Sequence, residues 1–224
     1  MRFLSVIMIV NACQFLGDIE VVHVDADHYE TDLGHPTKFK FACFAITDFQ
    51  FRPDFSLFSL VKSLNFDKKF SSGRHAKLFG DLPYCYGNTA HSATKFSDNP
   101  FVSEMFNYVT NKFPSLELNS CLINFYPDQK SFMPDHSDDE YSIDPESFIV
   151  TLSLGCDRTM LFKLKSSKQL IARVKLRDGM ILLFSKYSQD LYTHGLPPNF
   201  NNRSCDDFIP RISATFRKLL SNNN

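Results

Sequence analysis

A chain of 224 residues suits one fairly large domain, or a domain that carries an N-terminal extension. At 43% hydrophobic and 22% charged it holds enough apolar material for a sizeable core, which includes 24 Phe and no Trp. A net charge of −1 excludes a broad electrostatic grip on nucleic acid, so any such role needs a local basic lining.

No run approaches the roughly 18–20 apolar residues that a membrane span needs, and no membrane partner is expected. Residues 3–10 follow Arg2 in the manner of a short signal h-region. The Asn11-Ala12-Cys13 that follows is a poor cleavage site, and the same run equally makes a buried strand. Cys13, Cys43, Cys85, Cys121, Cys156 and Cys205 are scattered without a C-x-x-C pair. They are expected to be reduced thiols of a cytoplasmic protein, neither a disulfide framework nor a zinc site.

Residues 1–50 alternate apolar runs at 3–10, 19–24 and 39–46 with polar turns at Gly17-Asp18 and Gly34-His35-Pro36. They read as short strands of an N-terminal extension whose role the sequence leaves unassigned. The principal domain is expected over 51–220. From Asp54 onward, Phe55, Leu57, Phe58, Leu60, Val61 and Leu64 bunch as on a half-buried helix ending near Asn65. The stretch from Ser71 to Gly87 is rich in Gly and carries Arg74, Tyr84 and Tyr86. Rings beside an arginine can stack a base and contact a phosphate; a turn with core tyrosines uses the same residues. Pro100 then opens a helix over 100–113 with Phe101, Met105, Val109 and Phe113 on one stripe, and Pro114 stops it.

From Cys121 the pattern is all β. Strands are expected at Cys121–Tyr126, Phe148–Leu154, Thr159–Leu164, Leu170–Leu176, Met180–Phe184 and Ile212–Phe216, separated by short turn signals. The fold class is therefore mainly β with flanking helices (α+β), arranged as a jelly roll, or double-stranded β-helix.

Within this β region lies His136-Ser137-Asp138-Asp139-Glu140. On an extended backbone His136 and Asp138 leave the same face. One imidazole and one carboxylate make two corners of a non-haem Fe(II) site, which takes two His and one carboxylate. A solvated acidic turn would read the same way locally. A calcium loop is disfavoured, because the stretch lacks the Gly and the spaced bidentate Glu of an EF-hand. His194 is the only His downstream and completes the set from a strand end. An iron held this way needs a co-substrate, usually 2-oxoglutarate, whose far carboxylate needs a basic anchor. Arg211, Ser213, Thr215 and Arg217 share one strand face. Two guanidiniums buried there call for an acidic ligand or for internal pairing, with Asp206 or Asp207 as candidates.

These pieces, in the order Asn124-Phe125-Tyr126, His136 to Glu140, Ser153-Leu154-Gly155, His194 and Arg211 to Arg217, resemble the AlkB family of Fe(II)/2-oxoglutarate dioxygenases. The likeness runs from about Arg74 to the C-terminus. The wording around Phe132-Met133-Pro134, Ser153 to Thr159 and Val174 to Gly179 is similar to AlkB domains in replicase polyproteins of plant RNA viruses.

The resemblance implies Fe(II) on His136, Asp138 and His194, with 2-oxoglutarate and O2 as co-substrates. Asn124, Tyr126, Arg211, Ser213 and Arg217 would bind 2-oxoglutarate, with Arg211 on its distal carboxylate. Glu140 would contact the exocyclic amine of a methylated base. Arg74, Tyr84 and Tyr86 would belong to a nucleotide-recognition lid at about 71–95, with His91 beside them. Ser213 stands where the bacterial founder of the family has Asn, which implies one weaker co-substrate hydrogen bond. The spacer between Tyr126 and His136 lacks the Gly expected at its turn.

The expected activity is oxidative removal of N-methyl groups from 1-methyladenine or 3-methylcytosine with release of formaldehyde. Methylated RNA is the first expected partner and single-stranded DNA the second. The chain is expected to be a monomer in the cytoplasm (host cytoplasm if viral), or a piece of a larger polyprotein. Two other classes fit the same triad: a 2-oxoglutarate-dependent hydroxylase of a protein or small molecule, and a non-catalytic nucleic-acid-binding jelly roll.

Overall fold

Alternation of side chains along the strands sorts this chain into layers. The computed structural model describes residues 19–20, 44–66, 68–86, 89–185, 188–199 and 210–221. Its strands are β1 (Ile19–Glu20), β2 (Phe44–Gln50), β3 (Lys68–Lys69), β4 (His75–Gly80), β5 (Tyr84–Tyr86), β6 (Thr89–His91) and β7 (Ser120–Tyr126). They continue as β8 (Met133–His136), β9 (Phe148–Gly155), β10 (Arg158–Leu164), β11 (Leu170–Leu176), β12 (Met180–Ser185), β13 (Tyr192–Leu196) and β14 (Arg211–Arg217). The helices are α1 (Leu57–Ser63), α2 (Pro100–Lys112) and α3 (Ser188–Leu191).

An eight-stranded sheet, in the order β1-β2-β12-β9-β14-β7-β4-β3, faces a four-stranded sheet, β11-β10-β13-β8. The strand pairs are antiparallel, and the two sheets make the expected jelly roll. Period two divides each main-sheet strand between two cores. Cys121, Ile123, Val150, Leu152, Ile212, Ala214 and Phe216 pack with Leu60 of α1 and Val102, Met105 and Val109 of α2. The alternate positions, among them Leu122, Tyr126, Leu182 and Phe184, turn toward Phe162, Leu164, Val174 and Leu176 of the smaller sheet. The helices therefore cover one face of the main sheet, and the space between the sheets remains for the site.

Helix α2 starts where its capping chemistry sets it. Asn99 Oδ1 accepts from the N–H groups of Phe101 and Val102 at 3.1 Å each, and Pro100 occupies the first turn. Asn99 Nδ2 also donates to Ser63 Oγ at 2.9 Å, which ties α2 to the end of α1.

Three features differ from the sequence expectation. Strand β2 falls inside the expected 1–50 extension, yet it pairs with β12 from Phe44 opposite Phe184 to Gln50 opposite Met180, as part of the main sheet. The runs at 3–10 and most of 19–24 and 39–43 lie outside the described residues. Asp138 lies beyond the end of β8, in the loop that follows, so it does not share a strand with His136. The third difference is at Cys156, which is disulfide-bonded; Cys85 and Cys121 are free as expected.

Candidate active site

The facing strands β8 and β13 bring the two histidines together. His194 pairs directly with His136 across the ladder, and the ring centroids lie 4.3 Å apart. A register shift follows at Gly195, where the strands run very close. A Cβ on Gly195 would lie 2.4 Å from Asp135 Oδ1 and 3.1 Å from the Asp135 backbone nitrogen. A side chain there would have to displace the Asp135 carboxylate and press on the β8 backbone.

Asp138 joins them from the loop after β8. One ligand atom from each of His136, Asp138 and His194 can be chosen so that all lie within 4.8 Å of one another. Among the described residues this is the group of His, Cys, Asp and Glu that could hold a metal ion. The His136 Nδ1–H donates to the Pro134 carbonyl at 2.9 Å, an assignment made from that contact, which leaves Nε2 with its lone pair toward the centre. Asp138 is 1% exposed. Its N–H donates to Gln189 Oε1 of α3 at 3.0 Å, and its Oδ2 accepts from Arg217 Nη2 at 2.6 Å. Its Oδ1 is buried, has no hydrogen-bond partner and lies 3.7 Å from His136 Nε2.

Electrostatics hold Asp138 and His194 in ligating form. Burial alone would raise the Asp138 carboxyl, but the Arg217 guanidinium bonded to it outweighs that and holds the pKa at about 2. Burial, with His136 beside it, pushes His194 down to about 3, so its imidazole is neutral. A neutral His194, the His136 Nε2 turned to the centre by the Nδ1 contact, and an ionised carboxylate with an orphaned oxygen fit a divalent iron, and the fit rests on those atoms.

Strand β14 forms the opposite wall. Arg211, Ser213, Thr215 and Arg217 all face the cleft, joined by Asn124 and Tyr126 of β7 and by Thr151 of β9. Arg211 is 2% exposed and donates through Nη2 to Ser153 Oγ at 2.8 Å. Its Nε and Nη1 are buried and make no hydrogen bond. Burial, with a contribution from Arg158, pulls this guanidinium down to about 10. A buried cation with two unused donors is the complement of a carboxylate. The cleft thus carries a metal-ligand set at one end and an anion anchor in the same lining, as a co-substrate with two carboxylates requires.

The lid expected over 71–95 divides in two. His75–Gly80 is β4 in the main sheet, and only β5 and β6 stand apart as a hairpin, with Tyr84 opposite His91. Arg74 lies inside: it is 2% exposed, donates through Nη1 to Asn124 Oδ1, and sits 3.8 Å from the centroid of Phe70. Buried there, the guanidinium orients Asn124 and does not reach out to the surface. Tyr84 is buried, donates to Glu140 Oε2 at 2.8 Å, and lies under the Arg217 guanidinium at 5.1 Å. Burial, followed by the charge of Asp138, raises the Glu140 carboxyl. The backbone of Tyr86 pairs with Thr89 at the hairpin tip.

Several contributors were not visible in sequence. Arg158 is buried, donates through Nη2 to the carbonyls of Ser131 and Pro197 at 2.9 and 2.6 Å, and lies 5.9 Å from the Tyr126 ring. It ties the loop after β7 to the exit of β13. Gln189, which holds Asp138, is a lone polar residue that no spacing marks, and Ser153, part of the resemblance but given no role there, holds Arg211. The turn between Tyr126 and His136 works without Gly because Asp128 Oδ1 accepts from Lys130 N–H, Ser131 N–H and Ser131 Oγ.

Comparison with known proteins agrees with this geometry. A model of the 2OG-Fe(II) oxygenase superfamily matches residues 67–217. Mouse alpha-ketoglutarate-dependent dioxygenase alkB homolog 3 is 29% identical over 164 residues, covering 68% of this chain and 54% of that protein. Mouse DNA oxidative demethylase ALKBH2 is 27% identical over 169 residues, covering 72% and 68%. The chain thus spans about half the length of the alkB homolog 3 proteins it matches. The solved structure of OsALKBH1 aligns with a TM-score of 0.53 at 16% identity, over 90% of this chain and 100% of that one, a likeness of fold.

Proposed function

The chain belongs to the 2OG-Fe(II) oxygenase superfamily, and from that premise we propose that it is an oxidative demethylase of nucleic acid. The substrates of this reading are N-methylated bases of the 1-methyladenine and 3-methylcytosine kind. RNA comes first, on the wording of the sequence around 153–159 and 174–179, and single-stranded DNA second. The observation that carries the proposal is the cleft itself. The orphaned Asp138 Oδ1 beside His136 and His194, and the two unpartnered donors of Arg211, share one lining.

Iron bound by His136, Asp138 and His194 supplies, with 2-oxoglutarate and O2, the oxidation that hydroxylates an N-methyl group as 2-oxoglutarate becomes succinate and CO2. The protein's own groups do the rest. Arg211 takes the distal carboxylate of 2-oxoglutarate, with Tyr126 and Ser213 beside it. Asn124, oriented by Arg74, fixes the other side of the co-substrate. Arg217 holds Asp138 in place and contributes positive charge near the chelating carboxylate. Phe184, Met160 and Leu122 in the lining keep the cleft apolar and exclude water. Glu140, oriented by the Tyr84 hydroxyl, accepts from the exocyclic amine of the target base. The hydroxymethyl product then loses formaldehyde and a proton, and the ring nitrogen regains its lone pair.

The test uses 1-methyladenine-containing RNA and single-stranded DNA oligonucleotides of one sequence, incubated with Fe(II), 2-oxoglutarate and O2. The proposal expects loss of the methyl group by mass, faster on RNA. Turnover of 2-oxoglutarate with no demethylation of either strand contradicts it.

A further inference from the structure

The residue that follows Glu140 is the most exposed large apolar side chain described. Tyr141 is 87% exposed, and only Phe58 and Leu220 keep it company among the described residues. Leu220, 44% exposed, lies at the same place, since its N–H donates to the Ser142 carbonyl at 2.8 Å. Two of the three exposed large apolar residues described thus stand on adjoining backbone segments next to Glu140.

The backbone under Tyr141 is fixed. The Ile143 N–H donates to the Glu140 carbonyl at 3.1 Å, closing a β-turn with Tyr141 and Ser142 at its corners. Ile143 is buried and bridges to Leu219, and the Asp144 N–H donates to the Lys218 carbonyl at 2.9 Å. These contacts attach the rear of the turn to residues 218–220, directly after the β14 strand that carries Arg211 and Arg217. The front of the turn is Glu140, whose carboxylate is held by Tyr84. A ring on such a turn is presented in a set position relative to the cleft, at little cost in conformational freedom.

From this placement we propose that Tyr141 is a stacking platform for the nucleobase next to the methylated one. The inference rests on the nucleic-acid reading above. Glu140 and Tyr141 are consecutive, so their Cα atoms are about 3.8 Å apart across a trans peptide. A base accepted by Glu140 therefore brings its unpaired neighbour over the adjoining ring. An unpaired base offers a flat π-face of any sequence, and an exposed aromatic is the group that takes it without reading sequence. Leu220 supplies an apolar edge to the same contact. The partner is thus a single-stranded segment of at least two nucleotides, and the contact favours it over an isolated nucleotide. Tyr141 is a specificity residue in this role and touches no reacting atom.

The experiment compares demethylation of a methylated pentanucleotide and of the matching methylated nucleoside 5′-monophosphate, as the ratio of their kcat/KM values. Wild type, Tyr141→Ala and Tyr141→Phe are measured with Fe(II) and 2-oxoglutarate bound. Direct binding of the fluorescently labelled pentanucleotide is followed by anisotropy. The expected result is a ratio five- to a hundredfold lower in Tyr141→Ala, the span that base–aromatic stacking supports, with weaker binding to match. Tyr141→Phe, which keeps the ring, should restore both. A ratio that stays within twofold of wild type in Tyr141→Ala overturns the proposal. Wild type that demethylates neither substrate removes the nucleic-acid reading, and this inference falls with it.

Discussion

Arg217 Nη2 lies 2.6 Å from Asp138 Oδ2, and this bond decides which carboxylate oxygen is left for a metal. With Oδ2 engaged and the N–H held by Gln189, the unpartnered Oδ1 is turned toward His136 Nε2. Both side chains are almost wholly buried, so each neutralises a charge that would be costly alone.

Replacing Arg217 with Met should lower stability by roughly 3–5 kcal/mol, because a buried carboxylate is left uncompensated. The pair also predicts a pH dependence. The folded pKa of Asp138 is depressed to about 2, below an unfolded value near 3.9. Its stabilising contribution is therefore present above about pH 4 and is lost as pH falls toward 2. Thermal unfolding of the metal-free protein should show the gap between wild type and Arg217→Met narrowing across that window. A gap constant from pH 6 to pH 2 contradicts the pairing.

Arg211 should separate co-substrate binding from metal binding. Arg211→Met removes the two unused donors and leaves the triad untouched. A charged hydrogen bond is worth about 1.5–3 kcal/mol, so the affinity for 2-oxoglutarate should fall by roughly ten- to a hundredfold. Calorimetry should show iron affinity within a few-fold of wild type. An unchanged 2-oxoglutarate affinity would remove Arg211 from the anchor.

Arg74→Met should act through Asn124. Without the Arg74 hydrogen bond, the amide loses its orienting partner, and the KM for 2-oxoglutarate should rise more than the KM for the methylated oligonucleotide. The reverse pattern would mean that Arg74 acts on the nucleic acid, as the sequence alone suggested.

Gly195→Ala tests the closeness of β8 and β13. The added Cβ meets the flexible Asp135 carboxylate, which can swing away, but also the Asp135 backbone nitrogen at 3.1 Å, which cannot without moving β8. A shift of β8 displaces His136 relative to His194. Iron affinity and turnover should fall, by up to roughly a hundredfold if the displacement nears 1 Å. Stability should change far less than for a core truncation.

Much of the site was legible because strands repeat every two residues. That period placed Arg211, Ser213, Thr215 and Arg217 on one face, and the lone downstream His194 supplied the second imidazole. Helix α2 was legible from Pro100, its apolar stripe and Pro114, whose chemistry is local. What failed was what depends on distant neighbours. Arg74 was expected on a nucleotide-recognition lid, but it stands directly before β4, buried and bonded to Asn124. Asp138 looked like part of a strand, but the ladder ends at His136 and the carboxylate arrives from a loop. The bonds of Gln189, Ser153 and Arg158 join elements far apart in the chain, and no local pattern announces them.

The most direct measurement is the coupling of products on a methylated oligonucleotide. Formaldehyde and succinate are quantified together for wild type and for His136→Ala, Asp138→Ala and His194→Ala. The structure predicts one formaldehyde per methyl group lost, about one succinate for each, and loss of both products in all three variants and on chelation of iron. Demethylation that persists in any of the three, or succinate released with no formaldehyde from any methylated strand, would contradict it.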